Sequence, residues 1–420
     1  MPNQSRSWEL TRIMRPDLVI SNFDSIIMDP PMPTLPFDVI TEVIGHLRSG
    51  TDFLTLRGLS TTCRALLEPS QRQLFRESAI EIFIPLPYGR KPTYPALDNL
   101  LKISPHLATY ILDLTLTLEF PLPAASTVIP VLEKLSSIQS LRIGQGDGLH
   151  ADLFPARKIE WLEPVNTILQ HPSLRRLTLE GYGTLPSSTW QLPALTSINL
   201  GIWEMADEAT LADERSCSLR LFSMSWAWYD PRSTLGKLLR VAPHLIQLEV
   251  RRSSTSSHAA SHQKKWPKCN LVPIGILDDR FTGLSSAIIN SAPTWSSLTT
   301  LIFVTIWSIP DCLLGISVEI AELSSFGGTS IETIRLSFSC YTDPATAGIV
   351  ELFQSFADST PWSGFSHLKM LEFSIHMYLG GDEVLDDFEK AAFIEDTTSG
   401  IRHSFAQLVG VEVVANLIMK

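Results

Sequence analysis

A six-residue pattern of apolar positions recurs along the chain after about residue 97. It has the form L-x-x-L-x-L with apolar substitutes, as in the LRRLTL that starts at Leu174 and the LKMLEF that starts at Leu368. Its last three positions alternate apolar, variable, apolar, which is typical of a short strand with one buried face. The ten copies start at Ile111, Ile138, Leu174, Leu195, Leu219, Leu245, Leu298, Ile331, Leu368 and Leu408.

Helix-like segments that end at a chain breaker precede several copies, for example the LGKLLRVAPH before Leu245. The pattern therefore predicts a repeated helix–turn–strand unit. The distance between successive starts varies from 21 residues, between Leu174 and Leu195, to 53 residues, between Leu245 and Leu298. The longest interval holds a Ser-rich basic stretch, residues 251–270, for which the sequence predicts a loop insert.

The N-terminal part of the chain has a different pattern. Residues 1–33 are poorly patterned and end in a Pro-rich run, which predicts a flexible leader. Residues 34–80 contain three short apolar segments, and the first, Thr34–Leu47, repeats apolar residues at three- and four-residue steps. A Pro-rich connector, residues 81–96, is predicted to separate this helical block from the repeated region, residues 97–420.

The helical block is expected to be unstable alone. Three short helices bury little of their own surface, and units of about 40 residues usually need a metal, a disulfide or a partner. The block has a single cysteine, Cys63, and no set of metal ligands, so its remaining apolar surface predicts a protein partner. Asp52 precedes the apolar residues that begin at Phe53 and is the predicted N-cap of the second helix.

This block closely resembles the F-box. The residues that carry the resemblance are, in chain order, Leu35-Pro36, Asp38 with Val39-Ile40, Glu42 to Leu47, Asp52-Phe53-Leu54 with Leu56 and Leu59, Cys63 to Leu66, and Leu74-Phe75. The sequence departs from the family's pattern at Gly58, Ser60 and Phe75. The resemblance implies docking on a Skp-type adaptor, which holds such a protein to a cullin scaffold. The adaptor-binding residues that it implies are Leu35, Pro36, Val39, Ile40, Ile44, Leu47, Leu54, Cys63 and Leu66.

The repeated region resembles leucine-rich repeat proteins over roughly residues 100–416. It lacks the Asn or Cys that those proteins carry three residues after the pattern, except in the last copy, which has Asn416. The expected fold class is therefore α/β, with a three-helix F-box followed by an irregular leucine-rich-repeat-like α/β solenoid. An ordinary α/β domain with several buried strands stays open as the alternative.

Composition and charge narrow the classes of partner and the compartment. The formal net charge is −11 and the pI is about 5.4, which argues against wholesale binding to nucleic acid or to an anionic membrane. The five cysteines are scattered and never form C-x-x-C, as expected of reduced thiols in the cytoplasm or nucleus. Neither a transmembrane run nor a secretory signal is predicted.

Two motifs that suggest chemistry are better explained as loops. Gly144, Gly146 and Gly148 have G-x-G-x-G spacing, which differs from that of a dinucleotide-binding loop. His258 and His262 have the i, i+4 spacing of a zinc pair but lack the Glu of H-E-x-x-H. No catalytic residue, cofactor or metal is therefore expected, and the protein is not expected to be an enzyme.

Two charged segments and a group of aromatic residues bear on binding. Residues 251–270 are basic without acids, and residues 382–396 carry seven acids against Lys390. Both segments are expected to be solvated loops, with a bipolar surface for a charged partner as the alternative. The aromatic residues follow neighbouring predicted strands and are candidates either for substrate binding or for core packing. They are Trp203, Trp226, Trp228 and Tyr229.

The two resemblances together imply a non-catalytic, substrate-recognition subunit of a cullin-type (SCF) ubiquitin ligase. In such a protein the F-box docks on the adaptor, and the repeated region captures a protein substrate for ubiquitin transfer by other subunits. The alternative is an interaction scaffold with the same fold that acts outside a ubiquitin ligase. Neither interpretation identifies the substrate.

Overall fold

A computed structural model gives the fold of the protein over a defined set of residues. They are 36–48, 51–82, 93–118, 125–145, 168–169, 171–185, 192, 194–205, 218–225, 235, 242, 244–252, 284–289, 297–306, 309–326, 330–342, 348–379 and 386–419. The chain divides into two compact units, Met1–Tyr182 and Gly183–Lys420. Both units contain helices and parallel strands, so the predicted α/β class is confirmed.

In the described part of the first unit, three helices come before an alternation of strands and helices. The helices are α1 (Phe37–His46), α2 (Phe53–Thr62) and α3 (Arg64–Arg76). The later elements are β1 (Glu77–Ile82), α4 (Tyr94–Ile103), a 3-10 turn (Pro105–Thr109), β2 (Asp113–Leu118), α5 (Ala125–Leu132), β3 (Ser140–Gln145) and β4 (Arg176–Leu185). Strands β1 to β4 pair in chain order, and each pair is parallel.

The second unit continues the same alternation. Its strands are β5 (Ser197–Met205), β6 (Leu221–Ser225), β7 (Gln247–Arg252), β8 (Thr300–Ile306), β9 (Thr333–Thr342), β10 (Met370–Leu379) and β11 (Glu412–Met419). Its described helices are α6 (Leu284–Ile289), α7 (Ile309–Phe326), α8 (Ile349–Ser359) and α9 (Asp387–Ser404), with a 3-10 turn at Trp362–Gly364. Strands β5 to β11 also pair in parallel and in chain order. Among the helices of the described residues, none combines the length and the hydropathy that a membrane span requires.

The recurring apolar pattern marks the strands. Each of β2 to β10 begins two residues after one of the first nine predicted starts, as β2 does after Ile111. Equivalent residues lie side by side, so that Leu114, Leu141 and Leu177 are neighbours on three adjacent strands and all are buried. Alternate residues of each strand therefore line a continuous core, and the residues between them face outward.

One pair of backbone hydrogen bonds between successive repeats recurs at the entrance to the strands. The carbonyl of Leu112, the second residue of its copy of the pattern, accepts the N–H groups of Gln139 and Ser140 at 2.8 and 3.0 Å. The same two-bond arrangement recurs at the carbonyls of Gln139, Thr196, Arg220, Ile246, Thr299 and Glu332. The recurrence of this pair of hydrogen bonds shows that the copies are structural repeats, although most of them lack the Asn of regular leucine-rich repeats.

Serine side chains add a second link between successive repeats. Ser173 Oγ donates to the carbonyl of Ile138 at 2.7 Å, and Ser330 Oγ donates to the carbonyl of Leu298 at 2.9 Å. Each serine directly precedes a copy of the pattern, and each acceptor is the first residue of the preceding copy. These hydroxyls satisfy carbonyl groups that the parallel ladder leaves outside its own bonds.

The sheet begins before the predicted boundary at residue 97. Helix α3 ends at Arg76 and β1 begins at Glu77, so the first strand spans the end of the predicted helical block and the start of the predicted connector. β1 pairs along its whole length with β2, and Ile80 is buried in the core. The helical block and the sheet therefore follow one another with no residue between them.

The last repeat lies in a different frame from the predicted one. β11 begins at Glu412 rather than two residues after Leu408, because the chain leaves α9 through a turn in which Gly410 has a φ of 81°. In the observed frame of β11, Ala415 and Leu417 are the buried residues. Asn416, expected to stabilise a turn after the strand, is instead an exposed residue inside β11 that pairs with Ser374.

Parts of both charged segments that were expected to be loops have regular structure. Arg251 and Arg252 are the last residues of β7, and the rest of the basic segment lies outside the described residues. Residues 387–396 form the first turns of α9, with Asp386 as its N-cap. The loop prediction is wrong for these residues because a strand and a helix both tolerate charged side chains on an exposed face.

Candidate functional site

The three-helix block, Phe37–Arg76, encloses a small core of its own. One residue from each helix forms its centre: Ile44 of α1, Leu56 of α2 and Leu66 of α3. Half-buried apolar residues surround this centre, namely Ile40, Leu47, Leu59 and Leu74. Gln73 Nε2 also donates to the carbonyl of Gly45 at 3.2 Å, which ties α3 to the end of α1. The stripe of α1 with helical spacing is therefore used inside the block.

This packing changes the set of residues that are free to meet a partner. Ile44 and Leu66, expected to bind an adaptor, are buried in the core of the block, where they hold the helices together. Ile40 and Leu47 are half-buried against the same core and are only partly available. Four of the nine expected contact residues thus serve mainly as internal packing, since an amphipathic helix first buries its apolar stripe against its nearest neighbours.

The block nevertheless exposes several large apolar side chains. Leu54 of α2 is 76% exposed, and on α1 Val43 is 55% and Phe37 is 52% exposed. Val39 lies one turn before Val43 on the same side of α1, and Leu67 of α3 is also exposed. Such a concentration of exposed apolar groups on a small block is typical of a protein-docking surface.

The expected contact residues are only partly the ones that the structure exposes. Pro36, Val39, Leu54 and Cys63 are exposed, and Leu35 lies outside the described residues. The interpretation of the sequence missed three exposed residues, Phe37, Val43 and Leu67. The signal for Phe37 and Val43 is the number of apolar residues in α1, which exceeds what one buried stripe of a ten-residue helix can hold.

The loop between α1 and α2 is closed by Asp52. Its Oδ2 accepts the backbone N–H of Arg48 at 2.9 Å and the hydroxyl of Thr51 at 3.0 Å, and its own N–H donates to the carbonyl of Arg48 at 2.8 Å. The bond from the Arg48 N–H is the main reason that the pKa of the Asp52 carboxyl is below its usual value. Asp52 occupies the predicted N-cap position, but its side chain caps the preceding loop rather than the N–H groups of α2.

Several contacts fix the three-helix block to the first strands of the sheet. Phe75 is buried at the end of α3, and the N–H of Leu112, at the entrance to β2, donates to the carbonyl of Arg76 at 3.0 Å. The Arg72 guanidinium lies 5.5 Å from the centre of the Tyr110 ring, which is a cation–π contact. These contacts use a side chain from one turn of α3, that of Arg72, and a backbone group from the next turn, the carbonyl of Arg76. They therefore fix the orientation of the block relative to β1 and β2.

The outward face of the strands carries ion pairs that join neighbouring strands or, for Arg176 of β4 and Asp113 of β2, the strands on either side of β3. In the first unit, Arg176 lies 2.8 Å from Asp113, and Arg142 pairs with Glu180. In the second unit, Arg335 lies 2.7 Å from Glu372. Partly exposed pairs of this kind contribute little to stability. They do balance the charges of the face, which is polar and suited to hydrogen bonding with another protein.

The aromatic residues proposed for substrate binding are not brought together by the described part of the structure. Trp203 lies in β5, within the second half of that strand. Trp226, Trp228 and Tyr229 lie outside the described residues. Among the described residues, no group of three or more His, Cys, Asp or Glu side chains has the arrangement of a metal site.

Comparison of the chain with models of protein families and with curated proteins finds no match. Three structural features of the chain bear on its function. They are the exposed apolar residues of the three-helix block, the attachment of that block to the sheet, and the polar outward face of the repeats.

Proposed function

We propose that the protein is the substrate-recognition subunit of a cullin-type ubiquitin ligase. The three-helix block is an F-box that docks on a Skp-type adaptor, and the repeated region is an irregular leucine-rich-repeat-like solenoid that binds a protein substrate. The chain supplies proximity and orientation, works in the cytoplasm or nucleus, and performs no chemistry of its own. The resemblance of residues 34–75 to the F-box motif supports this assignment.

The exposure of Leu54, Val43 and Phe37 carries the proposal. A small block with few internal core residues gains little stability by itself, and leaving three large apolar side chains in water adds nothing to it. Burying one such side chain against a partner is worth roughly 1.5–3 kcal/mol. An adaptor that covers these residues would therefore gain affinity and stabilise the block at the same time.

The attachment of α3 to β1 supports a role in presenting a substrate. A ligase subunit must hold its substrate at a fixed position relative to the adaptor, and a mobile link between the two binding regions would lose that effect. Here α3 passes into β1 without a spacer, and the Leu112–Arg76 hydrogen bond joins the block to the entrance of β2.

The test is a pull-down of adaptor and cullin with the full chain and with the double variant Val43→Asp, Leu54→Asp. Both residues are exposed, so the charges are solvated in the free protein and become costly only when a partner covers them. Adaptor binding should fall roughly a hundredfold or more, which corresponds to several kcal/mol. The matched control is Ile103→Asp, because Ile103 is also exposed, at 82%, but lies at the end of α4.

The outcomes separate the proposal from its alternatives. Loss of adaptor and cullin in the double variant, with an unchanged melting temperature and with normal binding by Ile103→Asp, supports the F-box assignment. Wild-type levels of adaptor in the folded double variant would contradict it. If the wild-type chain brings down the adaptor but no cullin, the protein is instead the interaction scaffold that acts outside a ubiquitin ligase.

A further inference from the structure

Strand β11 lies at an edge of the sheet. It pairs with β10 over its whole length, and no strand of the described residues lies along its other side. The N–H of Glu412 donates to the carbonyl of Lys369, so the backbone groups of Glu412 point to β10. In a parallel pair the residues that bond to the neighbouring strand alternate. The residues of β11 that direct their N–H and C=O groups to the free edge are therefore Val413, Ala415, Leu417 and Met419.

One side chain covers part of this free edge. The Arg402 side chain of α9 reaches the carbonyl of Ala415, to which its Nη2 donates at 3.3 Å. A carbonyl oxygen has two lone pairs, so Ala415 can still accept a bond from another strand. Among the described residues, the backbone groups of Val413, Leu417 and Met419 have no hydrogen bond at this edge.

The edge strand of the first unit, β1, is protected in a way that β11 is not. The N–H of Glu81 donates to Thr93 Oγ1 at 2.7 Å, and the carbonyl of Glu81 accepts the N–H of Thr93 at 3.2 Å. β1 also has two acids among six residues, whereas β11 has one acid, Glu412, and six apolar residues among eight. Proteins usually shorten, charge or cover an edge strand, because an open edge pairs with other chains. β11 therefore has the character of a strand that pairs.

Apolar side chains on both faces of β11 are only partly covered. On the outward face, Ile418 is 44% exposed and Val414 is half-buried. On the inward face, Val413 and Met419 are half-buried. A strand added at this edge would bring side chains beside all four residues, since neighbouring strands lie about 4.8 Å apart.

The sequence of β11 is complementary to itself when two copies run antiparallel. With the two-fold axis at Asn416, Val414 lies opposite Ile418 of the second copy, and Val413 lies opposite its Met419. The partly covered apolar residues of each face thus meet one another. Asn416 is exposed and lies opposite its own copy, where the two side-chain amides can hydrogen-bond. The edge-facing residues of the two copies also oppose one another in this register, which gives about eight backbone hydrogen bonds.

Neighbouring registers lose this match. An axis at Ala415 places Ile418 opposite Glu412 of the second copy and Val414 opposite its Asn416. An axis at Leu417 leaves Val413 and Val414 beyond the end of the paired strand. An open edge accepts many extended segments, but the match along the whole of β11 in one register favours a second copy of this chain as its occupant.

We propose that two copies of the chain associate through β11, which pairs antiparallel with β11 of the second copy about an axis at Asn416. The sheet of the second unit then continues into the second copy. This surface shares no residue with the three-helix block, so the inference does not rest on the adaptor docking proposed above. Two copies joined in this way present two substrate-binding regions, which strengthens the binding of a substrate with two recognition segments.

The test uses the residue on the axis. Because Asn416 lies directly opposite its own copy, a charge at this position meets the same charge in the dimer. The variants are Asn416→Lys and Asn416→Asp in the full chain, and the matched control is Ser355→Lys, since Ser355 is exposed on α8. Sedimentation equilibrium gives the dissociation constant for the wild type, for each variant and for an equimolar mixture of the two Asn416 variants. Thermal unfolding followed by circular dichroism checks that each chain is folded.

The wild-type chain should dimerise with a dissociation constant of about 1–100 μM, as expected of a small interface. Each Asn416 variant alone should dimerise about tenfold or more weakly, because like charges lie opposite each other. The mixture should recover the wild-type affinity, because Lys then lies opposite Asp. Ser355→Lys should dimerise as the wild type does.

A second measurement needs no variant. The amide protons of Val413 and Leu417 should exchange more slowly as the concentration of the wild-type chain rises, because the second copy then accepts their hydrogen bonds. The proposal is overturned if the wild-type chain stays monomeric at about 200 μM, if the Asn416 variants dimerise with wild-type affinity, or if the mixture does not recover it.

Two further results would replace the second copy at β11 with another contact. A dimer that dissociates at high salt and is unaffected at Asn416 would indicate that the basic residues 251–270 of one copy bind an acidic surface of the other. A monomer whose Val413 and Leu417 amides become protected only when another protein is added would show that the edge takes a segment of that protein.

Discussion

At the scale of single residues, Gly364 shows how closely the turn after α8 packs on α7. A Cβ atom at this position would lie 2.1 Å from the backbone oxygen of Ser324, which is far inside van der Waals contact. Ser324 is itself buried, and its hydroxyl donates to the carbonyl of Pro361 in the same turn. The turn carries Trp362 into an aromatic cluster with Phe356 and Phe405, so its position affects the core of the second unit.

We expect Gly364→Ala to lower the free energy of unfolding of the second unit by about 1–3 kcal/mol, since the neighbouring group is backbone and cannot rotate away. Gly58→Ala is the matched control. Gly58 is exposed in the middle of α2 and has nothing within 4 Å of an added Cβ, so alanine should stabilise this helix by about 0.5–1 kcal/mol. Urea unfolding of the full chain measures both changes, and an unchanged midpoint for Gly364→Ala would contradict the close packing.

The sequence predicts the burial of single residues better in the strands than in the three-helix block. In a strand, alternation allows only two faces, and Leu114 and Leu116 are buried as the pattern indicates. In α1 the apolar residues occupy more than one side of the helix, and the pattern alone does not decide which side packs. The structure assigns Ile44 to the core and Val43 to the surface, a choice that depends on where α2 and α3 lie.

At the scale of elements, the turn between α9 and β11 determines the frame of the last strand. The segment from Leu408 to Leu417 offers two alternating apolar frames, and the sequence pattern selects the earlier one. The structure selects the later one because Gly410, with a φ of 81°, lengthens the turn before the strand. A positive φ is a backbone property that a search for apolar spacing does not detect.

This turn leads to a prediction about Gly410. No atom lies within 4 Å of an added Cβ, so any effect of a substitution comes from the backbone conformation alone. Gly410→Ala should destabilise the fold by about 1–2 kcal/mol, and Gly410→Asn should destabilise it less, because Asn adopts the left-handed region more readily. Thermal unfolding of the two variants gives the comparison. Equal losses in the two would show that the conformation at Gly410 is not the cause.

At the scale of the whole molecule, the order of helices and strands follows from the sequence, and the boundary between the helical block and the sheet does not. The proline-rich stretch after Ile82 suggested a connector, yet the first strand precedes it. The sequence of β1, ESAIEI, has two acids and, among the residues with described burial, a single large apolar residue that is buried, Ile80, so the pattern did not predict this strand. It belongs to the sheet because β2 supplies a parallel partner along its full length, which is information from a distant part of the chain.

The exposed acidic segment of α9 was likewise not predicted as a helix. Its apolar residues point in several directions around the helix, so they form no single stripe of the kind that identifies an amphipathic helix. They are Phe388, Ala391, Ala392, Phe393 and Ile394. The capping box at Asp386 and Glu389 was the available signal, since an Asp followed three residues later by Glu is typical of a helix start. Exposed surfaces of this kind are where the sequence pattern is weakest and where binding is most often found.

The basic insert between β7 and β8 leads to the last prediction. Deleting residues 253–268 should leave the melting temperature of the second unit unchanged, because the deleted residues are mostly polar and loop length has a small effect on closure entropy. β7 and β8 stay joined at their entrance by the N–H groups of Thr299 and Thr300, which both donate to the carbonyl of Ile246 at 3.0 Å. The residues that remain between the deletion and α6 can span up to about 50 Å when extended. The deletion also removes three lysines, so the net charge should change from −11 to −14, which native electrophoresis of the purified chain would show. A large fall in melting temperature in the deleted chain would show that the segment contributes a structural unit of its own to the fold.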